Sequence, residues 1–400
     1  MSKISIEDKN CQMALKYIFR DCSNTEEILL EKIREIPDIN KKNKDNETIL
    51  MYAFRYCSNE KVLLEILKQN PDLNVQDRRG KNTFMLALKY CSHKTVLLEI
   101  LKQKHDLNIR DRNNRTTVMY AFHYCSNKEV LLEILKQNPD FSIKDKYGYN
   151  SVKIALLKCK EKEVLLEILQ QLKQTSSLNL LHDLLTYEFF TYICSNINKE
   201  VLLEIIKQKP NLNITNDYGT SVLMNIFQEC SDKEILLEIL KQKPDLHVRD
   251  NELNSPLTIA FSYCSIKEVL LEILKQKPNL NIHNYDNQTV LMIAFLKNLN
   301  KEIILEILKQ KPELNYRDLF CKTALMYALK YCSDKEVLLE LLKQKPNLNI
   351  EDEDDKTALM YAFRYCSIKE VLLELLKQKP NLNIEDEDDK TALMYAFRYC

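Results

Sequence analysis

The chain has 400 residues, 45% of them apolar, and its 58 Lys and Arg are balanced by 58 Asp and Glu. That neutrality argues against a generic binder of nucleic acid or membrane surfaces. The polar opening MSKISIEDKN lacks a secretory apolar core and no apolar run is long enough to cross a bilayer, so the expected setting is cytoplasmic, with the nucleus as the other option.

Catalytic signatures are missing as well. The three glycines, Gly80, Gly148 and Gly219, lie too far apart for GxGxxG, Walker-type or GxSxG motifs. There is no HExxH or CxxC, and the six histidines are scattered over the chain. The residues therefore imply no enzyme, no metal and no cofactor.

What the chain has instead is a repeat. Cys22, Cys57, Cys91, Cys125, Cys159, Cys194, Cys230, Cys264, Cys332, Cys366 and Cys400 recur at intervals of 34 to 36 residues, with Asn298 in the one slot that lacks a cysteine. Nine of the ten prolines and all three glycines keep one phase each. A period of this length marks a solenoid, in which units that cannot bury their own apolar faces stack into one array spanning 1–400. Stacked layers lie about 8–10 Å apart. In-phase cysteines thus exceed the roughly 7 Å reach of a disulfide, and reduced thiols are expected.

Along the chain, residues 1–39 form a degenerate first repeat, with Lys16, Arg20 and Asp21 among its apolar positions, as suits a polar cap. The unit beginning at Asp111 shows the plan. Thr117 to Tyr124 is a short apolar helix; Ser126 and Asn127 are suited to cap a second helix that puts Val130, Leu131, Ile134 and Leu135 on one face; Asn138 and Pro139 stop it. Phe141 to Gly148 then alternates like a strand up to the turn DKYG. Gly80, Gly148 and Gly219 mark a left-handed position in that turn, which other units fill with Asn46, Asn114, Asn287, Asp355 or Asp389. Residues 172–199 lose the in-phase proline and gain two residues, so they read as an irregular repeat or hinge. EDEDDKTALMYAFRYC occurs twice, the second time ending at Cys400 between first and second helix, so the array is expected to be cut in mid-repeat.

Asp352, Asp355, Thr357, Leu359 and Ala362, followed by Glu370, Val371, Leu376, Asn381, Leu382 and Asn383, resemble the ankyrin repeat, and SPLTIA at Ser255 to Ala260 is the best match to its opening. The resemblance implies an all-α solenoid of helix-turn-helix units joined by β-hairpin-like fingers. Tetratricopeptide repeats share the 34-residue period but have no finger. Two departures suggest a softer repeat. Met51, Met85, Met119, Met292, Met326 and Met360 replace the family's bracing His, and Lys or Asn before Pro replaces the glycine after the second helix, removing its left-handed cap.

Fingers and first helices form the binding face in that family, and the matching positions here carry Arg78, Arg79, Lys81, Arg110, Arg112, Arg115, Lys146, Tyr147 and Tyr149, with Arg55, Lys89 and His123 from first helices. This basic strip suits an acidic or phosphorylated segment. The later fingers, Glu351, Asp352, Glu353, Asp354 and Asp355, then Glu385, Asp386, Glu387, Asp388 and Asp389, form an acidic surface for a basic peptide or for another copy's basic strip. The implied function is a non-enzymatic scaffold binding protein partners. The alternative is the substrate-recruiting portion of an enzyme or ubiquitin-ligase adaptor whose active module lies past residue 400.

Overall fold

A computed structural model describes residues 9–20, 26–175 and 186–399. Part of the first repeat and the middle of the 172–199 segment lie outside these residues. The described residues form 23 helices and no sheet, in two units, 1–184 and 185–400. In the first unit the leading helices of successive repeats are α1 (Lys9–Arg20), α3 (Ile49–Tyr56), α5 (Thr83–Tyr90), α7 (Thr117–Tyr124) and α9 (Ser151–Lys158). Their partners are α2 (Glu26–Arg34), α4 (Glu60–Leu67), α6 (Lys94–Lys102), α8 (Lys128–Lys136) and α10 (Lys162–Gln174).

The second unit repeats the plan. Its leading helices are α11 (Tyr187–Asn196), α13 (Val222–Glu229), α15 (Pro256–Tyr263), α17 (Val290–Leu296), α19 (Ala324–Tyr331), α21 (Ala358–Tyr365) and α23 (Ala392–Tyr399). Between them come α12 (Lys199–Lys207), α14 (Lys233–Leu240), α16 (Lys267–Lys275), α18 (Lys301–Lys309), α20 (Lys335–Lys343) and α22 (Lys369–Lys377). Within each unit leading helices stack on leading helices and partners on partners. Such short helices are marginal alone and are held by the faces they bury. In α8 that face is Val130, Leu131, Ile134 and Leu135, as the spacing predicts. Asn127 alone caps it, accepting from the Val130 amide at 3.1 Å.

Both expected weaknesses are repaired over part of the array. The Thr116 hydroxyl accepts from the Met119 amide, and Met119 Sδ accepts in return from the Thr116 amide, each at 3.4 Å. The same thioether brace recurs at Met224, Met292, Met326 and Met360. The second correction concerns the end of the partner helix. Lys209, Lys243, Lys277, Lys311, Lys345 and Lys379, with Asn70 and Asn138, keep φ between 49° and 55°. The left-handed cap survives without glycine, and the Lys345 amide still reaches the Leu342 carbonyl at 3.0 Å.

Neighbouring repeats are tied by a glutamine ladder. At the end of α4, α6, α8 and α10 in the first unit, Gln69, Gln103, Gln137 and Gln171 each donate to a carbonyl of the preceding partner helix at 2.6 to 3.1 Å. Gln242, Gln276, Gln310, Gln344 and Gln378 do so in the second. Each bond goes to a helix-end carbonyl, and most of these oxygens also accept the amide three residues on, as Leu342 does from Lys345.

The fingers are single antiparallel bridges, such as Gln76 to Asn82 and Glu351 to Thr357. An Asp, or in some units an Asn such as Asn43 or Asn216, organises each turn. Asp111 accepts the Asn113 and Arg115 amides at 2.8 and 2.9 Å, and the Arg112 amide donates to the Arg79 carbonyl of the previous finger at 3.0 Å. The left-handed turn position is occupied as expected by the glycines, Asn and Asp, and also by Leu253 (φ 61°) and Cys321 (φ 56°), side chains ill suited to it.

Candidate protein-binding cleft

The strip predicted from the sequence divides when its residues are placed. Arg55 is drawn into the fold, pairing with Glu47 and with Asp77 at 3.2 Å. Arg78, Arg79, Arg110 and Arg112 stand exposed on the fingers; Arg78 pairs with Asp45 at 3.0 Å, and the Arg110 guanidinium reaches Asn114 at 3.5 Å. Lys146 lies 4.8 Å from the centre of the Tyr147 ring.

Arg115, His123, Tyr147 and Tyr149 come together around a cleft of about 200 Å³, between the third and fourth fingers and helices α7 and α9. Lys81 and Lys89 adjoin it, 5.7 Å from the Tyr120 ring and 5.6 Å from the Tyr124 ring. Sequence reasoning missed Tyr120, Tyr124 and Lys158, which also line it. Its one available signal was the tyrosine pair four apart on α7, read only as apolar helix. The two rings lie 5.6 Å apart, and Lys153 stands 4.3 Å from the Tyr149 ring.

The third finger fixes one wall. Arg115 bonds Asp111 Oδ2 through Nε and Nη2 at 3.0 and 2.8 Å, and the Tyr120 hydroxyl donates to the same oxygen at 3.0 Å. Burial alone would raise the Asp111 pKa, but hydrogen bonds from Arg115 and Tyr120 hold it below the usual carboxylate range. Lys81, Lys89 and Lys158 face no carboxylate within ion-pair distance among the described residues. Burial, then the positive charge of Lys89, pushes the Lys81 ammonium down. His123 is pushed down by burial and then by Lys158, Arg115 and Lys89. The site is thus an aromatic cleft crowded with cations that repel one another.

The same frame recurs in the second unit. Clefts of about 300 and 180 Å³ lie along α19 and α21, beside Lys322, Lys330, Tyr361 and, in the smaller one, Arg364. Lys330 stands 5.0 Å from the Tyr331 ring and 5.9 Å from Tyr365; Arg364 stands 5.2 Å from Tyr365 and 5.8 Å from Tyr399.

The acidic surface needs correcting at two positions. Asp352 and Asp386, 3% and 4% exposed, are the buried turn carboxylates and accept the Tyr361 and Tyr395 hydroxyls at 2.7 Å. Asp354 and Asp388 pair with Lys356 and Lys390 at 2.9 and 2.6 Å. Glu353, Asp355, Glu385, Glu387 and Asp389 are exposed, and Glu351 is half-buried.

Among the described residues eight cysteines, Cys57, Cys125 and Cys366 included, close leading helices, and Cys194 lies within α11. The Cys125 amide bonds the Ala121 carbonyl at 2.9 Å, and its thiol faces the Asn127 carbonyl at 3.9 Å. Burial pushes these thiols up, Cys194 to about 12, so they are poor nucleophiles at neutral pH. No described helix is long and apolar enough to cross a membrane, and among the described residues no cluster of His, Cys, Asp and Glu is placed to hold a metal ion.

Helix pairs joined by bridged fingers define a repeat solenoid of the ankyrin-like class. Residues 325–400 match the family of ankyrin repeats as 3 copies, and the described residues before them are built on the same plan. Such repeats generally mediate protein–protein interaction. No curated protein matches the chain. Among solved structures, a predatory endopeptidase from Bdellovibrio bacteriovorus in complex with an immunity protein is similar at 20% identity, with a TM-score of 0.37, covering 46% of this chain and 93% of the other.

Proposed function

We propose that the protein is a non-enzymatic scaffold, and that the cleft between the third and fourth fingers holds an acidic segment of a partner protein. The supporting observation is the group of unneutralised cations, Lys81, Lys89 and Lys158 with His123, set among Tyr120, Tyr124, Tyr147 and Tyr149. A partner carboxylate or phosphate would relieve their mutual repulsion, and the tyrosines supply rigid contact area at small entropic cost.

The test is binding of a fluorescein-labelled acidic peptide, followed by anisotropy, to the wild type and to K81E/K89E/K158E. Arg115 is left unchanged because it neutralises buried Asp111. The variant should bind at least about tenfold more weakly, the worth of one or two charge-assisted contacts. Equal affinities, with unchanged helical circular dichroism, would rule the cleft out.

A further inference from the structure

The cations of the cleft are arranged by layer. One repeat contributes Lys81 from its finger and Lys89 from α5, the next contributes Arg115 and His123, and the third contributes Lys158 from α9, with Tyr149 at the finger position. The layers are contiguous: α5 packs on α7 and α7 on α9, while Lys81 and Lys89 of one layer lie over Tyr120 and Tyr124 of the next. Lys89 and His123 hold the same position of the leading helix in successive repeats, while Lys158 stands one position on, next to Leu157, so the sites fall one to a layer, with layers about 10 Å apart for packed helices. An extended peptide advances about 3.3 Å per residue, so three residues span one layer.

We infer that the preferred partner is an extended peptide laid across the layers, carrying a carboxylate at every third residue, one each for Lys89, His123 and Lys158. The inference rests on the reading of the cleft just given. A helical ligand is disfavoured, because its 1.5 Å rise would need acids about seven residues apart to match. The middle contact also couples binding to protons. His123 is faced by Lys89 from α5, by Tyr124 on its own helix, by Arg115 from the third finger, by Lys158 from α9, and by Asp145, Tyr147 and Tyr149 from the fourth finger. Burial, and then the surrounding cations, push its pKa down in the free protein, and an arriving carboxylate favours the charged form. Binding should therefore take up a proton, with affinity rising as pH falls.

Three labelled peptides of one composition, Glu and Ser only, test this with the full chain. Their glutamates stand at every third position, at every second, or in one cluster. The every-third peptide is expected to bind about tenfold tighter than the others, equivalent to one or two charge-assisted contacts. K89A and K158A should each erase most of that preference, whereas R112A, on the exposed finger, should leave it intact. H123Q should flatten the rise in affinity between pH 7.5 and 5.5. If all three peptides bind alike and K81E/K89E/K158E abolishes binding of each, the register is wrong and the acidic-segment reading stands. If none binds, both are wrong.

Discussion

The third finger of the first unit and the last fingers of the second are built on one frame and present opposite charge. In both, a buried Asp gathers the turn amides and takes a tyrosine hydroxyl, as Asp111 does from Tyr120 and Asp352 from Tyr361. In both, a cation on the leading helix rests on tyrosines of its own and the next repeat, as Lys89 and Lys330 do. The difference lies in what surrounds the frame. Around Asp111 the exposed finger residues are arginines, while around Asp352 they are carboxylates, two of which, Glu353 and Asp354, reach Lys322 and Lys356 at 3.9 and 2.9 Å. The frame sets the fold, and the exposed finger residues decide whether cations stay available to a partner.

The largest test of that comparison is removal of the turn carboxylate. Asp111→Ala strands the Arg115 guanidinium, the Tyr120 hydroxyl and the turn amides together, and should cost about 3–4 kcal/mol in urea unfolding. Asp352→Ala strands a hydroxyl and amides but no paired arginine, and should cost about 2 kcal/mol. Acid titration tests Asp111 by a second route. Because the folded-state pKa of Asp111 is depressed, its stabilisation is present above the unfolded carboxylate value, about 3.9, and is lost as pH falls through the lower folded value. The wild-type midpoint should fall below pH 4, and Asp111→Ala should blunt that fall.

A smaller difference comes from the finger glycines. A Cβ on Gly80 would sit 3.0 Å from the Arg112 nitrogen and the Asp111 Cα, and one on Gly219 would sit 3.1 Å from the Asp250 Cα, all of it backbone in the next finger. At Gly148 a Cβ meets nothing within 4 Å among the described residues. Gly148→Ala should cost only the left-handed penalty, about 1–2 kcal/mol. Gly80→Ala and Gly219→Ala should each cost about 1–3 kcal/mol more, since a finger must move. Equal losses at all three sites would mean that the fingers yield freely.

The glutamine ladder should not distinguish the units. Gln137→Ala and Gln344→Ala each remove a bond to a helix-end carbonyl, at 3.1 and 2.8 Å, and each should cost about 1 kcal/mol. A large loss in one unit alone would show that the two stacks are held together differently.

Much of this architecture was legible in the sequence, because Cys, Pro and Gly mark one register and the helices bury the face their spacing predicts. The thioether brace was hidden, since Met119 reads as an apolar residue and only the folded turn brings its sulfur to the Thr116 amide. The burial of Asp352 was hidden for a related reason: EDEDD looks uniformly solvated, and only the turn picks one of its carboxylates to face inward. Of the cleft, the sequence indicated Arg115, His123, Tyr147 and Tyr149. The role of Tyr120 and the loss of Arg55 to Glu47 and Asp77 depend on contacts between a finger and a helix, which spacing alone does not reveal.

The smallest expected effect concerns the residue after the partner helix. Both units hold it in the left-handed region, with Asn138 in the first (φ 49°) and Lys345 in the second (φ 54°). Asn tolerates that conformation, whereas Lys has no local hydrogen bond to offset a penalty of about 1–2 kcal/mol. Glycine removes the penalty but enlarges the freedom of the unfolded chain, which takes back about 0.5–1 kcal/mol. Lys345→Gly should therefore stabilise by about 0.5–1 kcal/mol, and Asn138→Gly should change little. Thermal unfolding of the two variants beside the wild type decides the matter. A destabilised Lys345→Gly would mean that the lysine stem packs usefully against its neighbours, and that the cap is sustained by that packing despite its backbone strain.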